Sequence, residues 1–214
     1  MRKFPGYPVK LCFVLIVLAC TGKSYAQIYQ LDRSTLEELS EDRKEENAEF
    51  YQFISNSTNY ISLALPVSLF VTGVIKKDKS LKRNALIAGE SILVSSVFTY
   101  ALKNTVKRQR PFSADSLIVR AGHGGGYSFP SGHTAEAFSL ATSLSLSYPK
   151  WYVVVPAYLW AGTVAYSRMY LGVHYPTDIV AGALVGGGSA FLTYKLNEWL
   201  MAKYSTKKIS TISY

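Results

Sequence analysis

The sequence predicts an all-α helical bundle, membrane-embedded, with about five spans after a signal peptide. Three observations carry this expectation. Five apolar stretches, at 51–75, 84–102, 134–148, 151–166 and 179–194, are separated by short polar or proline-containing joints. Hydrophobic residues make up 49% of the 214 and charged residues only 17%, against roughly 25% charged in soluble domains. The first stretch, Tyr51–Ile75, has no charge and is followed by Lys76, Lys77, Lys79, Lys82 and Arg83. It is long enough to cross ~30 Å of hydrocarbon, and the cation cluster suits a cytoplasmic loop. This composition excludes a disordered chain and a disulfide-stapled mini-protein. The net charge of +9 comes from 23 Lys+Arg against 14 Asp+Glu. Its cations are not interleaved with aromatics along one stripe, so nucleic acid is set aside as a partner; phosphate groups and membrane surfaces remain.

Taken in order, residues 1–26 read as the signal peptide. Arg2, Lys3 and Lys10 supply the positive start, Leu11 to Cys20 the apolar run, and Ser24-Tyr25-Ala26 a small-x-small cleavage site. The run is short for a span, so cleavage after Ala26 is favoured over retention as an anchor. Both cysteines, Cys12 and Cys20, lie in this leader, so a chain starting at Gln27 has no thiol for disulfides, catalysis or metal binding. Cleavage removes Arg2, Lys3, Lys10 and Lys23 and no acid, taking the net charge from +9 to +5.

Residues 27–59 form a charged N-terminal segment on the exported side. Its acids crowd into 31–50 (Asp32, Glu37, Glu38, Glu41, Asp42, Glu45, Glu46, Glu49), which read as a solvated helix without chemistry. Ser34 followed by Glu37 has the spacing of a capping box. The bundle proper occupies 60–200 and a tail 201–214. By parity, an exported Gln27 sends the first span inward to Lys76–Arg83 and the second outward to Lys103. The next two make a hairpin turning at Pro149-Lys150, and the last leaves Lys195, Lys203, Lys207 and Lys208 inside. The stretches at 134–148, 151–166 and 179–194 are shorter than the ~20 residues a span prefers. The outer loop 103–133 carries five cations, Lys103, Lys107, Arg108, Arg110 and Arg120, so its charge needs another reason than topology.

That reason lies in the joints read together. Lys103 precedes Arg110-Pro111 by six intervening residues; Pro130-Ser131-Gly132-His133 follows; the third joint is Ser167-Arg168, five residues, His174, three residues, Asp178. Parity opens all three on one face. The pattern suits phosphoryl transfer, in which charge spreads over three equatorial oxygens that fixed cations stabilise. Lys103, Arg110 and Arg168 are such donors, and the arginine fork matches phosphate oxygens in pairs. Ser131 and Gly132 open a helix whose free N–H groups suit an anion. One histidine can attack phosphorus while the other protonates the leaving oxygen, and Asp178 is spaced to fix the tautomer of His174.

Lys-x6-Arg-Pro, Pro-Ser-Gly-His and Ser-Arg-x5-His-x3-Asp, complete and in order over about residues 60–195, resemble the signature of the type 2 phosphatidic acid phosphatase superfamily. That superfamily includes lipid phosphatases, bacterial acid phosphatases and vanadium haloperoxidases. The resemblance implies His174 as the nucleophile forming a phosphohistidine, Asp178 as its orienting partner and His133 as general acid. Lys103, Arg110, Ser131, Gly132 and Arg168 would bind the phosphate. It also implies a mechanism with no metal and no cofactor, acting on a phosphorylated membrane lipid with the site on the periplasmic or outer side of the cell (inner) membrane. A soluble periplasmic acid phosphatase is the alternative, and a vanadium haloperoxidase the rival from another class. Lys107 and Arg108 read as solvated loop charges and His123 as a surface histidine. The glycine run at 124–126 reads as a mobile element over the site, Glu90 as structurally paired, and Gly186-Gly187-Gly188 as a close helix contact.

Overall fold

The computed structural model describes residues 22–210; most of the expected leader, with Cys12 and Cys20, lies outside them. Seven helices make up the described chain: α1 (Gly22–Glu41), α2 (Glu45–Ile75), α3 (Lys79–Val106), α4 (Pro111–Ala114), α5 (Gly132–Ser147), α6 (Trp151–Tyr170) and α7 (Pro176–Ser210). The five apolar stretches are the centres of α2, α3, α5, α6 and α7. Three helices, Glu45–Ile75, Lys79–Ala114 and Pro176–Lys203, are long and apolar enough to cross a membrane; α5 and α6, at 16 and 20 residues, are shorter.

Local chemistry sets the helix ends. Asp78 caps α3 by accepting the backbone N–H groups of Ser80 at 2.8 Å and Leu81 at 3.2 Å. Pro149 stops α5 one residue earlier, because a residue before proline is pushed out of the helical region, and Tyr148 sits at φ −135°. Pro111 and Pro176 each occupy a first helical position, where the missing N–H costs nothing. The Ser34–Glu37 pair does not start a helix: α1 begins at Gly22, and the Ser34 hydroxyl instead donates to the Leu31 carbonyl.

α5 lies at the centre, packed against α3, α6 and α7, while α2 covers α3 and α6. The packing is inverted relative to a soluble bundle. Small and hydroxylated residues are buried between helices, among them Ser55, Thr58, Ser91, Ser95, Ala137 and Ser139. Large apolar side chains face outward, including Leu63 at 70%, Leu93 at 68%, Leu159 at 66% and Leu184 at 71% exposure. Such a surface is a severe liability in water and is normal against lipid, where small residues let helices approach closely. Gly182 and Gly186 show how closely: a Cβ would lie 2.6 Å from the Ser131 carbonyl and 2.1 Å from that of Ala135. The close contact expected of the triple glycine is made by Gly186. Glu90 is paired as expected, accepting from Asn197 at 2.8 Å.

The acidic segment departs from the expectation of a solvated helix. Glu41, Asp42, Glu45, Glu46 and Glu49 are exposed, but Asp32 and Leu36 on α1 are buried. Leu36 packs with Ile118 and Tyr175, fastening α1 across the end of the bundle that holds the three sequence motifs. Arg33 pairs with Asp115, and the Ser40 hydroxyl accepts the Val119 N–H at 2.9 Å.

Candidate active site

Each motif residue is placed by an element end. Lys103 lies in the last turn of α3, which closes at Lys107 in the left-handed region (φ 52°). Ser131 caps α5; its N–H donates to the Asp178 carbonyl at 3.0 Å and its hydroxyl accepts from Thr134 at 2.8 Å, tying the Pro-Ser-Gly-His turn to α7. The Ser131 hydroxyl proton and the N–H groups at the start of α5 remain for an anion. Arg168 ends α6, and Gly172 (φ +70°) then reverses the chain: its N–H reaches the Met169 carbonyl at 2.8 Å, and a Cβ there would sit 2.6 Å from the Val119 carbonyl. The reversal puts His174 in the short link before α7. Asp178, third residue of α7, accepts the Tyr175 N–H at 3.0 Å, half of a capping box.

These residues meet. Arg110 Nη1 lies 3.2 Å from His174 Nε2, and His174 Nδ1 lies 3.4 Å from Asp178 Oδ2. Arginine can only donate, so Nε2 is the acceptor and the ring proton belongs on Nδ1, facing the carboxylate. At 3.4 Å that contact is an ion-pair distance, not a formed hydrogen bond; such contacts tighten when substrate binds. His174 is 2% exposed. Burial pushes its pKa from 6.5 down to about 3; Asp178 opposes this, and the Arg110 and Arg168 charges reinforce it. The ring is therefore neutral, and its unprotonated nitrogen is Nε2, whose lone pair accepts from Arg110 in the empty site. Burial and the charges of Arg168, Arg110 and Lys103 likewise lower the pKa of His133 to about 3, so both imidazoles lie in one cationic field and both are neutral in the empty site.

A single loop supplies acceptors to all three clamp cations. Lys103 Nζ donates to the carbonyl of Tyr127 at 2.7 Å; Arg110 donates to those of Gly125 at 2.8 Å and Gly126 at 3.1 Å; Arg168 Nη2 donates to that of His123 at 2.8 Å, and its Nη1 to Ser55. Gln52 holds the same loop through the His123 N–H. Carbonyl dipoles orient these cations without cancelling their charge, so the space stays positive. Arg168 Nε is buried with no hydrogen-bond partner, a donor suited to a phosphate oxygen. The His123 side chain is exposed, as the sequence implies, and Gly124 has no room for a Cβ, which would lie 2.8 Å from Arg110 Nη1.

Arg108 is not a solvated loop charge. Its Nη1 donates to Asp178 Oδ1 at 2.7 Å, its Nη2 donates to Asp32 Oδ2 at 2.7 Å, and its guanidinium stacks 3.9 Å from the Tyr175 ring centre. Thr177 joins the network, its N–H reaching Asp32 Oδ1 at 3.0 Å. Asp32, 1% exposed, thus reaches the site through Arg108. The available signal was an acid on the apolar stripe of Leu36 and Leu39, four and seven residues on. Lys107, by contrast, is exposed as expected. Arg108→Lys keeps the charge but cannot bridge two carboxylates with a planar fork. We expect a fall in kcat on the order of 10- to 100-fold with little change in KM, the scale seen for outer-shell partners that orient a functional group. A fall confined to KM, measured on a soluble phosphomonoester, would contradict an orienting role.

A family model described as the PAP2 superfamily matches residues 84–202. The Lipid A 4'-phosphatase of Bacteroides thetaiotaomicron is 40% identical over 108 residues, 48% of this chain and 48% of that protein. The chain spans 46% to 61% of the length of the first curated relatives it matches. Among solved structures, Aquifex aeolicus LpxE superposes with a TM-score of 0.65 at 26% identity, covering 75% of this chain and 92% of that one. A transmembrane PAP2-type phosphatidylglycerolphosphate phosphatase from Bacillus subtilis gives 0.68 at 23% identity, covering 89% and 96%, a likeness of fold.

Proposed function

Because this chain belongs to the PAP2 superfamily, we propose that it is a membrane-embedded phosphatase that hydrolyses a phosphomonoester or diphosphate of a membrane lipid. The observation that carries this reading is the neutral, buried His174 between Asp178 and Arg110, in a space bordered by His133, Lys103 and Arg168. His174 Nε2 attacks phosphorus in line, forming an N–P bond as the P–O bond to the lipid breaks. His133, neutral in the empty site, takes up a proton as the negative charge of the phosphate enters and offsets the surrounding cations, and gives that proton to the departing oxygen. The same imidazole, now neutral, takes a proton from water, whose hydroxide cleaves the N–P bond and releases phosphate. Lys103, Arg110 and Arg168, with N–H groups at the start of α5, hold the equatorial oxygens. Fixed cations meet the charge of the transition state in this scheme, which therefore calls for no metal and no cofactor.

The site is proposed to face the periplasm or exterior. Lys79 and Arg83 lie at one end of α3 and Lys103 near the other; at about 1.5 Å per residue the 20 to 24 residues between them span roughly 30–36 Å, the depth of the hydrocarbon core. A cytoplasmic cation cluster then leaves the phosphate space outside. The outward apolar belt supports the membrane reading over a soluble periplasmic enzyme. In this scheme residues 1–26 are a cleaved leader, 27–59 an exported segment, 60–200 the phosphatase bundle and 201–214 a tail.

The test is release of inorganic phosphate by purified protein in detergent from phosphatidic acid, a polyprenyl diphosphate, lipid A and a water-soluble aryl phosphate. We expect turnover that persists in excess chelator, and retention of the protein in carbonate-washed membranes. A strict divalent-metal requirement would contradict the mechanism; release by osmotic shock would contradict the membrane placement.

A further inference from the structure

Arg108 carries one positive charge and pairs with two buried carboxylates, Asp178 through Nη1 and Asp32 through Nη2, each at 2.7 Å. The cluster of the three is therefore anionic by one charge. Asp178 belongs to the Ser-Arg-x5-His-x3-Asp motif. Asp32 comes from α1, outside residues 84–202 that the family model matches. The acids are 1% and 0% exposed, where charges act through little water.

Asp32 does more than fasten α1. That helix is already held by Leu36 against Ile118 and Tyr175, by Arg33 on Asp115 and by Ser40 on the Val119 N–H. Both oxygens of Asp32 converge instead on the start of α7. Oδ1 accepts the Thr177 N–H at 3.0 Å, and Oδ2 accepts from the Thr177 hydroxyl and from Arg108. Thr177 is the second residue of α7, so its N–H has no partner within the helix. A carboxylate from a distant segment thus caps the turn whose next residue is Asp178.

The surplus negative charge has a use on the reading given under Proposed function, on which this inference rests. His174 Nε2 gives its lone pair to phosphorus as the P–O bond breaks. The proton stays on Nδ1, so the phosphorylated ring is an imidazolium and carries positive charge. Arg110 and Arg168 disfavour that charge, and Asp178 favours it. A guanidinium bound to Asp178 alone would cancel much of the carboxylate's charge. Shared with Asp32, the same guanidinium fixes Asp178 and still leaves one negative charge in the cluster beside the ring. We propose that Asp32 is a positioning residue of this site. It draws charge from Arg108 and caps α7, so that Asp178 can hold His174 and stabilise the phosphohistidine.

The test is single-turnover phosphoenzyme formation from a water-soluble aryl phosphate, by full-length protein in detergent with alkaline quench. Asp32→Asn keeps the size and the cap, because asparagine caps helices about as well as aspartate, and removes the charge. We expect the maximal rate of phosphoenzyme formation to fall on the order of 10- to 100-fold, the scale for outer-shell partners. The half-saturating substrate concentration should stay unchanged. Asp32→Ser, a smaller cap without charge, should show the same loss and serves where the asparagine variant does not fold. In an Arg108→Gln protein the Asp32 substitution should cost nothing, since no guanidinium remains to be shared and one unpaired buried carboxylate is removed. An equal loss in both backgrounds would mean that Asp32 only anchors α1, and would overturn the assignment. A normal rate in the Asp32 variants, or a change confined to the half-saturating concentration, would overturn it too, with the phosphatase reading intact. Absence of phosphoenzyme and of turnover in the unaltered protein would remove that reading itself.

Discussion

Replacing His174 by alanine should abolish turnover, with a loss on the order of 10⁴-fold or more, the scale for removing a covalent nucleophile whose binding groups stay in place. Burial keeps this ring in the form that can attack. A histidine in water is half-protonated near its ordinary pKa of about 6.5, and a protonated ring cannot attack. Enclosure at 2% exposure, with Arg110 and Arg168 nearby, drives the pKa of His174 to about 3. Protonation is disfavoured in the folded state, so as pH falls through 6.5 the ring stays neutral. Phosphoenzyme formation, followed by alkaline quench because an N–P bond is acid-labile, should then show no loss from nucleophile protonation near pH 6.5. In His174→Ala no phosphoenzyme should form at any pH. Near-normal turnover by that variant would remove the nucleophile assignment. Asp178→Asn tests the same geometry from the other side. An amide can present its donor to Nδ1 and move the ring proton to Nε2, and a change of that kind has cost about 10⁴-fold in a catalytic triad.

The helical bundle and the residues that meet in it were legible for a physical reason. Apolar runs long enough to be buried or to face lipid must begin and end at polar joints, and the motif residues occupy those joints: Lys103 ends α3, His133 begins α5, Arg168 ends α6 and Asp178 begins α7. Their convergence follows from antiparallel helices that share one end. What stayed hidden depends on packing alone. Asp32 is one of eight acids in a row of twenty residues, and only its place on the stripe of Leu36 and Leu39 separates it from the exposed Glu41 or Asp42. Only the docking of α1 through Leu36 brings it within 2.7 Å of Arg108. The acceptors of the clamp cations were hidden more deeply still, because a backbone carbonyl carries no residue signature. The glycines at 124–126 read as mobility, whereas the carbonyls of Gly125 and Gly126 hold Arg110 and Gly124 leaves space for its guanidinium.

His133→Ala should slow turnover about 10²- to 10⁴-fold, and the size of the loss should depend on what departs. A general acid matters in proportion to the basicity of the oxygen it protonates. An aryl phosphate releases a weakly basic phenoxide that can leave unaided, whereas a lipid alcohol or sugar hydroxyl leaves as a strongly basic alkoxide unless a proton arrives with bond cleavage. The geometry restricts which histidine can do this. His174 is spent on the attack: its Nε2 bonds phosphorus and its Nδ1 faces Asp178, so neither nitrogen is left to protonate the leaving group on the opposite side. His133 lines, with Lys103 and Glu136, a groove between α3 and α5 that His174 does not border. The variant should therefore approach unaltered rates of phosphoenzyme formation with a highly activated aryl phosphate and lose the full factor with an alkyl or glycosyl phosphate. A plot of log kcat/KM against leaving-group pKa should be steeper for His133→Ala than for the unaltered protein. Equal losses on activated and unactivated substrates would instead mean that His133 binds the phosphate along with Lys103 and Arg168, and the acid would have to be sought elsewhere in the groove, with Glu136 one turn away as the nearest carboxyl group on that wall.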